Sequence, residues 1–204
     1  MAKRYTINEC YLAIQGEGVR AGTANVFLRF TGCNMRCAKE VGDKSPGGFD
    51  CDTEFVSGRQ MTKDEVVEWV VDESRGHQWV ICTGGEPGLQ LDCDLIDAFH
   101  AAGLNVAIET NGSVPIDKTV DWITVSPKVA EHAIRQLVAN EVKYVRGYGQ
   151  AIPKTVVQAP HMLISPAFDG RALPERTLQW CKDLVKNNPP WRLSVQLHNL
   201  LQER

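Results

Sequence analysis

Apolar and polar positions along the chain fall into blocks that predict strand, then helix, then strand, repeatedly. Val26-Phe27-Leu28-Arg29-Phe30 reads as a strand, apolar but for one charge. Thr62 to Asp72 predicts a helix: Thr62 and Glu65 have capping-box spacing, and Val66, Val67, Val70 and Val71 follow on one face. Trp79 to Cys82 predicts a strand, and Leu89 to Ala102 a helix with Leu91, Leu95, Ile96 and Phe99 inward and Gly103 as the stop. Strands are predicted at Asn105–Ile108, Trp122–Val125, Glu141–Val145 and His161–Ile164, with a helix between the second and third of these at Val129–Ala139. Pro174 opens a helix running to Lys186, Pro189-Pro190 closes it, and Arg192–Val195 is the last strand.

Strand–helix alternation implies right-handed crossovers and a parallel sheet with helices outside. Strands of such a sheet are buried on both faces and read as apolar runs, as these do. Polar and glycine-rich segments recur where strands end, at 31–33, 83–87, 109–112, 126–128 and 165–166. In parallel α/β folds sites gather at those ends. Six to seven strands in 204 residues fall short of an eight-fold barrel, which takes about 250. The expected fold is therefore α/β, a shortened and open β/α barrel. It is expected to form one domain over 1–204, with an inserted loop at about 38–50, where Gly42, Pro46, Gly47 and Gly48 cluster.

The chain is 43% apolar and 23% charged with a formal net charge of -3, so it has no basic footprint for nucleic acid. No run approaches the roughly 18 apolar residues of a membrane span, and the first residues lack the apolar stretch of a signal peptide. An odd count of seven cysteines argues against a disulfide framework. Free thiols without an export signal lead to an expected reducing cytoplasm.

Three of those cysteines carry chemistry. Cys33, Cys37 and Cys51 follow the first predicted strand with the spacing Cys-x3-Cys-x13-Cys. That is one ligand short of a structural zinc site, and the first histidine is His77. Three thiolates can instead hold three irons of a four-iron cluster and leave the fourth open. Thiolates alone do not separate zinc from iron–sulfur, and Cys10, Cys82 or Cys93 could complete a four-cysteine site. Cys10, Cys82, Cys93 and Cys181 nevertheless stand in apolar or helical settings and read as buried small hydrophobes. Thr83-Gly84-Gly85-Glu86-Pro87 ends a strand, where two glycines let backbone approach a ligand closely.

The cysteine loop together with Gly84-Gly85-Glu86-Pro87 resembles the radical S-adenosylmethionine (SAM) superfamily, with the last cysteine gap lengthened by eleven residues. Cys51-Asp52-Thr53 resembles the Cys-Asp-Thr that ends the motif in some members. The resemblance sharpens to the 7-carboxy-7-deazaguanine synthase family. It rests on Gln15-Gly16-Glu17-Gly18, Arg29-Phe30-x-Gly32-Cys33, Cys82 to Pro87, Ile108 to Gly112, Val125-Ser126-Pro127-Lys128 and Gln196-x-His198. It spans about Ile7 to His198. Ser165-Pro166 stands where Gln-Pro is expected.

The resemblance implies a [4Fe-4S] cluster on Cys33, Cys37 and Cys51, with SAM on its open iron. Reductively cleaved SAM would take hydrogen from carbon 6 of 6-carboxy-5,6,7,8-tetrahydropterin. The ring contracts, ammonia leaves, and SAM is regenerated. It further implies Mg²⁺, a flavodoxin-type electron donor and a homodimer. Gly84, Gly85 and Glu86 are assigned to the methionine amino group of SAM. Glu109, Asn111, Ser126 and Lys128 are assigned to the rest of SAM, and Thr83 and His198 to the substrate.

Residue chemistry suits these roles. A pterin presents an amino group and a ring N–H side by side, and the carboxylate of Glu17, with Gln15 beside it, can accept both. Arg29 offers a planar cation to the substrate carboxylate. Mg²⁺ needs few protein ligands, and Thr53 supplies one oxygen. The terminal carboxylate of Arg204, six residues after His198, is a further candidate for the substrate N–H groups. Two readings compete: a glycyl-radical-enzyme activase, for which the Gln15–Glu17 and Arg29 set has no evident use, and a non-catalytic zinc-binding module.

Overall fold

The computed structural model describes residues 3–35 and 56–202. The described residues form a nine-stranded sheet in the order β3-β1-β2-β4-β5-β6-β7-β8-β9, with no pairing between its first and last strands, so the barrel is open. The strands are β1 (Tyr5–Ile14), β2 (Ala24–Phe30), β3 (Arg59–Met61), β4 (Trp79–Gly84), β5 (Asn105–Thr110), β6 (Trp122–Val125), β7 (Glu141–Arg146), β8 (His161–Pro166) and β9 (Arg192–Leu193). From β2 through β9 every pairing is parallel, while β1 runs antiparallel to both β2 and β3.

The helices are α1 (Lys63–Ser74), α2 (Cys93–Ala101), α3 (Glu175–Asn187) and the short α4 (Leu197–Leu201). Thr62 caps α1 in the expected box with Glu65. Its Val66 and Val70 are buried, but Val71, expected on the same face, is 41% exposed. The second predicted helix begins late. Pro87–Leu89 makes a single 3-10 turn, and Asp92 then caps α2 through Leu95 N–H.

No helix spans Val129–Ala139. Only Glu131–Ala133 forms a 3-10 turn. Beyond it the amides of Arg135 and Gln136 both donate to the Gly112 carbonyl, and Val138 bridges to Gln158. Those bonds hold the segment extended while Ile134 drops into the core. The local apolar spacing was helical, and tertiary hydrogen bonding overrode it.

Successive strand residues point to opposite faces. One face packs on the helices: Leu28, Phe30, Val80, Val106, Val142 and Ile164 join Val70, Leu95, Phe99 and Cys181 in the main cluster. The other face is concave. Near β1 and β4 it holds a smaller apolar cluster of Tyr11, Ala13, Phe27, Ile81 and Ala107. By alternation the same concave face carries Arg29, Thr83, Glu109, Thr124, Glu141, Lys143 and Ser165. A polar face inside a barrel is where this fold can receive a polar ligand.

Candidate functional site

Two constellations meet this concave face. The first stands at the carboxyl ends of β2, β4, β5 and β6. Gly84, with φ of +110°, turns the chain out of β4, and a Cβ there would stand 2.4 Å from the Phe30 carbonyl oxygen. A Cβ on Gly85 would stand 2.0 Å from the Gly32 carbonyl oxygen. The amides of Gly85 and Glu86 donate to Phe30 and Gly32 at 3.0 and 2.9 Å. The glycine turn is thus fastened to the segment that delivers Cys33, and only hydrogen side chains permit the approach.

Glu86 does more than its sequence assignment suggests. It is fully buried and accepts from Thr110 Oγ1 at 2.7 Å, Asn111 N–H at 2.7 Å and Gly88 N–H at 3.0 Å. Burial pushes its carboxyl above the usual range, and these three donors pull the other way. Its side chain therefore locks the β4 turn to the end of β5. Asn111 continues the chain of contacts: its amide donates to Asn34 Oδ1 at 3.1 Å, and Asn34 donates to Ser113 Oγ at 2.8 Å. The Ser126 amide donates to the Thr110 carbonyl, which places the β6 end beside β5. Lys128 lies half-buried just beyond. Nothing in the local sequence marks Asn34.

Cys33 is half-buried, and its sulfur accepts from Met35 N–H at 3.3 Å. Cys37, Cys51 and Thr53 lie outside the described residues, as does Arg204. The other cysteines do not compete for a metal. Cys10 and Cys82 face the helices, and burial pushes the Cys10 thiol up to about 12 and Cys82 higher. Cys181 is buried and raised to about 11, chiefly by burial. Cys93, expected to be buried, is exposed at the start of α2. A thiol held protonated is a poor ligand.

The second constellation is built by the loop between β1 and β2. Every residue from Gln15 to Val19 is tied down. The Gln15 amide donates to Glu109 Oε1 at 2.8 Å, and its oxygen accepts from the Glu17 N–H at 3.1 Å. The Leu197 amide donates to the Gly16 carbonyl, and a Cβ on Gly16 would collide with the His198 ring. The Glu17 carboxylate pairs with Lys143 and accepts from Gln196 Nε2. Gly18 N–H donates to Ser194 Oγ, and Val19 N–H to Glu141 Oε2, both at 2.9 Å. Glu141 is held in turn by Thr124 Oγ1 at 2.8 Å. The structure therefore brings Gln15, Glu17, Glu109 and His198 together, residues that the resemblance divides between substrate (Gln15, Glu17, His198) and SAM (Glu109).

Arg29 and Thr83 are paired neighbours on β2 and β4. The Arg29 guanidinium sits 2.8 Å from Glu9 and donates to Tyr11 Oη at 2.9 and 3.2 Å. That orients the cation on the concave face. Lys143, Ser194 and Glu141 were not singled out from sequence, and Gln196 entered only as a motif residue with no role. For Lys143 and Glu141 a signal existed: two charges at alternate positions within an apolar strand, Glu141-Val142-Lys143-Tyr144-Val145, must share one face.

No family model matches the chain. Curated relatives do. A 7-carboxy-7-deazaguanine synthase from Burkholderia multivorans is 38% identical over 97% of this chain and 98% of its own length. One from Bacteroides thetaiotaomicron is also 38% identical, with the same coverage of both chains. The chain belongs to the 7-carboxy-7-deazaguanine synthase family. The fold agrees: a crystal structure of QueE from Escherichia coli matches with a TM-score of 0.68 over 95% of this chain and 94% of that one, at 21% identity. Membership of this synthase family makes the chain a radical SAM enzyme, which implies an iron–sulfur cluster and SAM as its cofactors. Among the described residues no helix is long and apolar enough to cross a membrane.

Proposed function

We propose that the chain converts 6-carboxy-5,6,7,8-tetrahydropterin to 7-carboxy-7-deazaguanine with loss of ammonia, a carbon–nitrogen lyase of 7-deazapurine and queuosine biosynthesis working as one radical SAM domain. The observation that carries this reading over the activase is the clamped Gln15–Val19 loop. A protein-backbone substrate gives no use for a half-buried carboxylate fixed by a lysine and a glutamine at the concave face.

The residues present fit the cofactors. Gly84 and Gly85 bring backbone against the Cys33 segment where a Cβ cannot stand, and Cys37 and Cys51 supply the other two thiolates of the reading. Bound there, cluster and SAM supply hydrogen-atom abstraction at carbon 6, with SAM used catalytically. The chain's own residues bind and orient. The Gly84–Glu86 backbone would hold the methionine end of SAM, with the Glu86 side chain keeping the turn in place. Glu109, Asn111, Ser126 and Lys128 would take its ribose and adenine. Glu17 would accept the pterin amino and ring N–H, assisted by Gln15, while Arg29 takes the C6 carboxylate. Thr83 and His198 stand at the substrate end. A flavodoxin-type reductant, a homodimer and a cytoplasmic location belong to the same proposal.

Mg²⁺ on Thr53 and substrate oxygens would assist the rearrangement. Thr53→Ala is expected to move the Mg²⁺ concentration for half-maximal rate upward about tenfold. An unaltered metal profile removes Thr53 as a ligand.

The deciding experiment is one anaerobic reaction of reconstituted protein with SAM, reductant, Mg²⁺ and 6-carboxytetrahydropterin, followed by mass spectrometry. Product beyond one turnover per protein establishes the synthase and catalytic SAM together. SAM cleavage to 5′-deoxyadenosine without product points to the activase. Neither, with an intact cluster, overturns the radical reading.

A further inference from the structure

Lys143 is an under-satisfied charge on the concave face. It is 5% exposed, yet its one partner is Glu17, so two of the three N–H groups of the ammonium have no acceptor among the described residues. Burial pushes the ammonium down to about 8, and the Glu17 carboxylate against it works in the opposite direction. A buried ammonium with two empty donors is expensive unless something fills them. A second unfilled group stands close by. Ser165 is fully buried and its hydroxyl has no partner among the described residues. On β8 it pairs with Val145, while Lys143 pairs with Leu163, so Ser165 and Lys143 share the concave face one pleat apart on adjacent strands.

Glu17 is the complement of these donors. Lys143 meets its Oε2 and Gln196 its Oε1, each using one site of a carboxylate that can accept about four hydrogen bonds. Carboxylate and ammonium side by side therefore offer acceptor, acceptor, donor. The pyrimidinone edge of a pterin reads 2-amino donor, N3–H donor, C4 carbonyl acceptor, in that order.

We propose that Lys143 is a substrate-binding residue that donates to the C4 carbonyl of the pterin, so that Glu17 and Lys143 together read the whole pyrimidinone edge, with the Ser165 hydroxyl on the same face. This rests on the synthase reading and deepens it. The pair is then a specificity device: it rejects a ring with an amino group at carbon 4, which sets donor against Lys143 and, because N3 then carries no hydrogen, acceptor against Glu17. A polar site left with unpaired groups discriminates far more strongly than an apolar pocket.

The test measures dissociation constants of two probes on the reconstituted, SAM-loaded enzyme: 6-carboxytetrahydropterin and its 4-amino counterpart. The native enzyme is expected to prefer the 4-oxo compound by about 100-fold. In Lys143→Met that preference falls to about tenfold, chiefly because the 4-oxo compound weakens, and the remainder rests on Glu17 reading N3–H. Because this variant leaves Glu17 unpaired, Glu17→Gln/Lys143→Met is measured beside it, with circular dichroism and cluster iron content confirming the fold of each. Its two probes are expected to bind within about fivefold of each other. If either folded lysine variant keeps the native preference, Lys143 supports Glu17 without touching substrate and the proposal fails, with the synthase reading intact. If the native enzyme binds no pterin while still cleaving SAM, the synthase reading fails and takes the proposal with it.

Discussion

Gly85→Ala is expected to lower the rate of SAM cleavage about 100-fold while the protein stays folded with its cysteines unchanged. The new methyl group would lie 2.0 Å from the Gly32 carbonyl oxygen and 3.2 Å from Cys33 Cβ. The Gly32 atom is backbone, so no rotamer change relieves the contact. Either the turn after β4 or the segment leading to Cys33 must move by roughly an ångström. The hydrogen bonds from Gly85 and Glu86 to Phe30 and Gly32 weaken with it. Misplacing reacting groups by about 1 Å costs about 100-fold in rate. Cluster content by iron and sulfide analysis and the yield of 5′-deoxyadenosine separate the outcomes. A variant with full cluster and native cleavage would show that the turn does not position SAM.

The position of this site was legible because its motifs stand at strand ends. Trp79–Cys82 and Asn105–Ile108 are apolar runs followed by glycine or polar residues, and the structure puts those ends on one rim. What escaped the sequence was set by distant partners. β1 is antiparallel in a sheet otherwise read as parallel, and its turn carries Gln15 to Val19 to strands β5 and β7 and to the segment after β9. No local pattern announces that Glu17 meets Lys143, more than a hundred residues away in sequence. The failed helix at Val129–Ala139 has the same origin. Its periodicity was real, but the Gly112 carbonyl and Gln158 compete for the same backbone.

Role assignment shows the limit from another side. The resemblance assigns Glu86, with Gly84 and Gly85, to the methionine amino group of SAM. The Glu86 side chain accepts from Thr110, Asn111 and Gly88, so it also enforces the shape of the turn. A motif residue can thus serve chemistry by holding its neighbours. Gly16 and Gly18 are of this kind too: their missing side chains make room for the His198 ring and for the Glu141 carboxylate.

Glu17→Gln is expected to produce the largest combined loss, because one carboxylate serves both fold and substrate. Its removal leaves the Lys143 ammonium buried without a counter-charge. Breaking a buried pair from one side costs about 3–5 kcal/mol, more than exchanging both partners for neutral ones. Chemical denaturation should show that loss at neutral pH. It should shrink as the pH rises through the range in which the lone buried ammonium gives up its proton, below the usual lysine value, because burial favours the neutral amine. The amide also turns one acceptor into a donor facing the pterin N–H groups, so the KM for pterin should rise about 100-fold. Glu17→Gln/Lys143→Met should recover most of the stability and none of the affinity. Recovery of both would mean that Glu17 holds the loop and never meets the substrate.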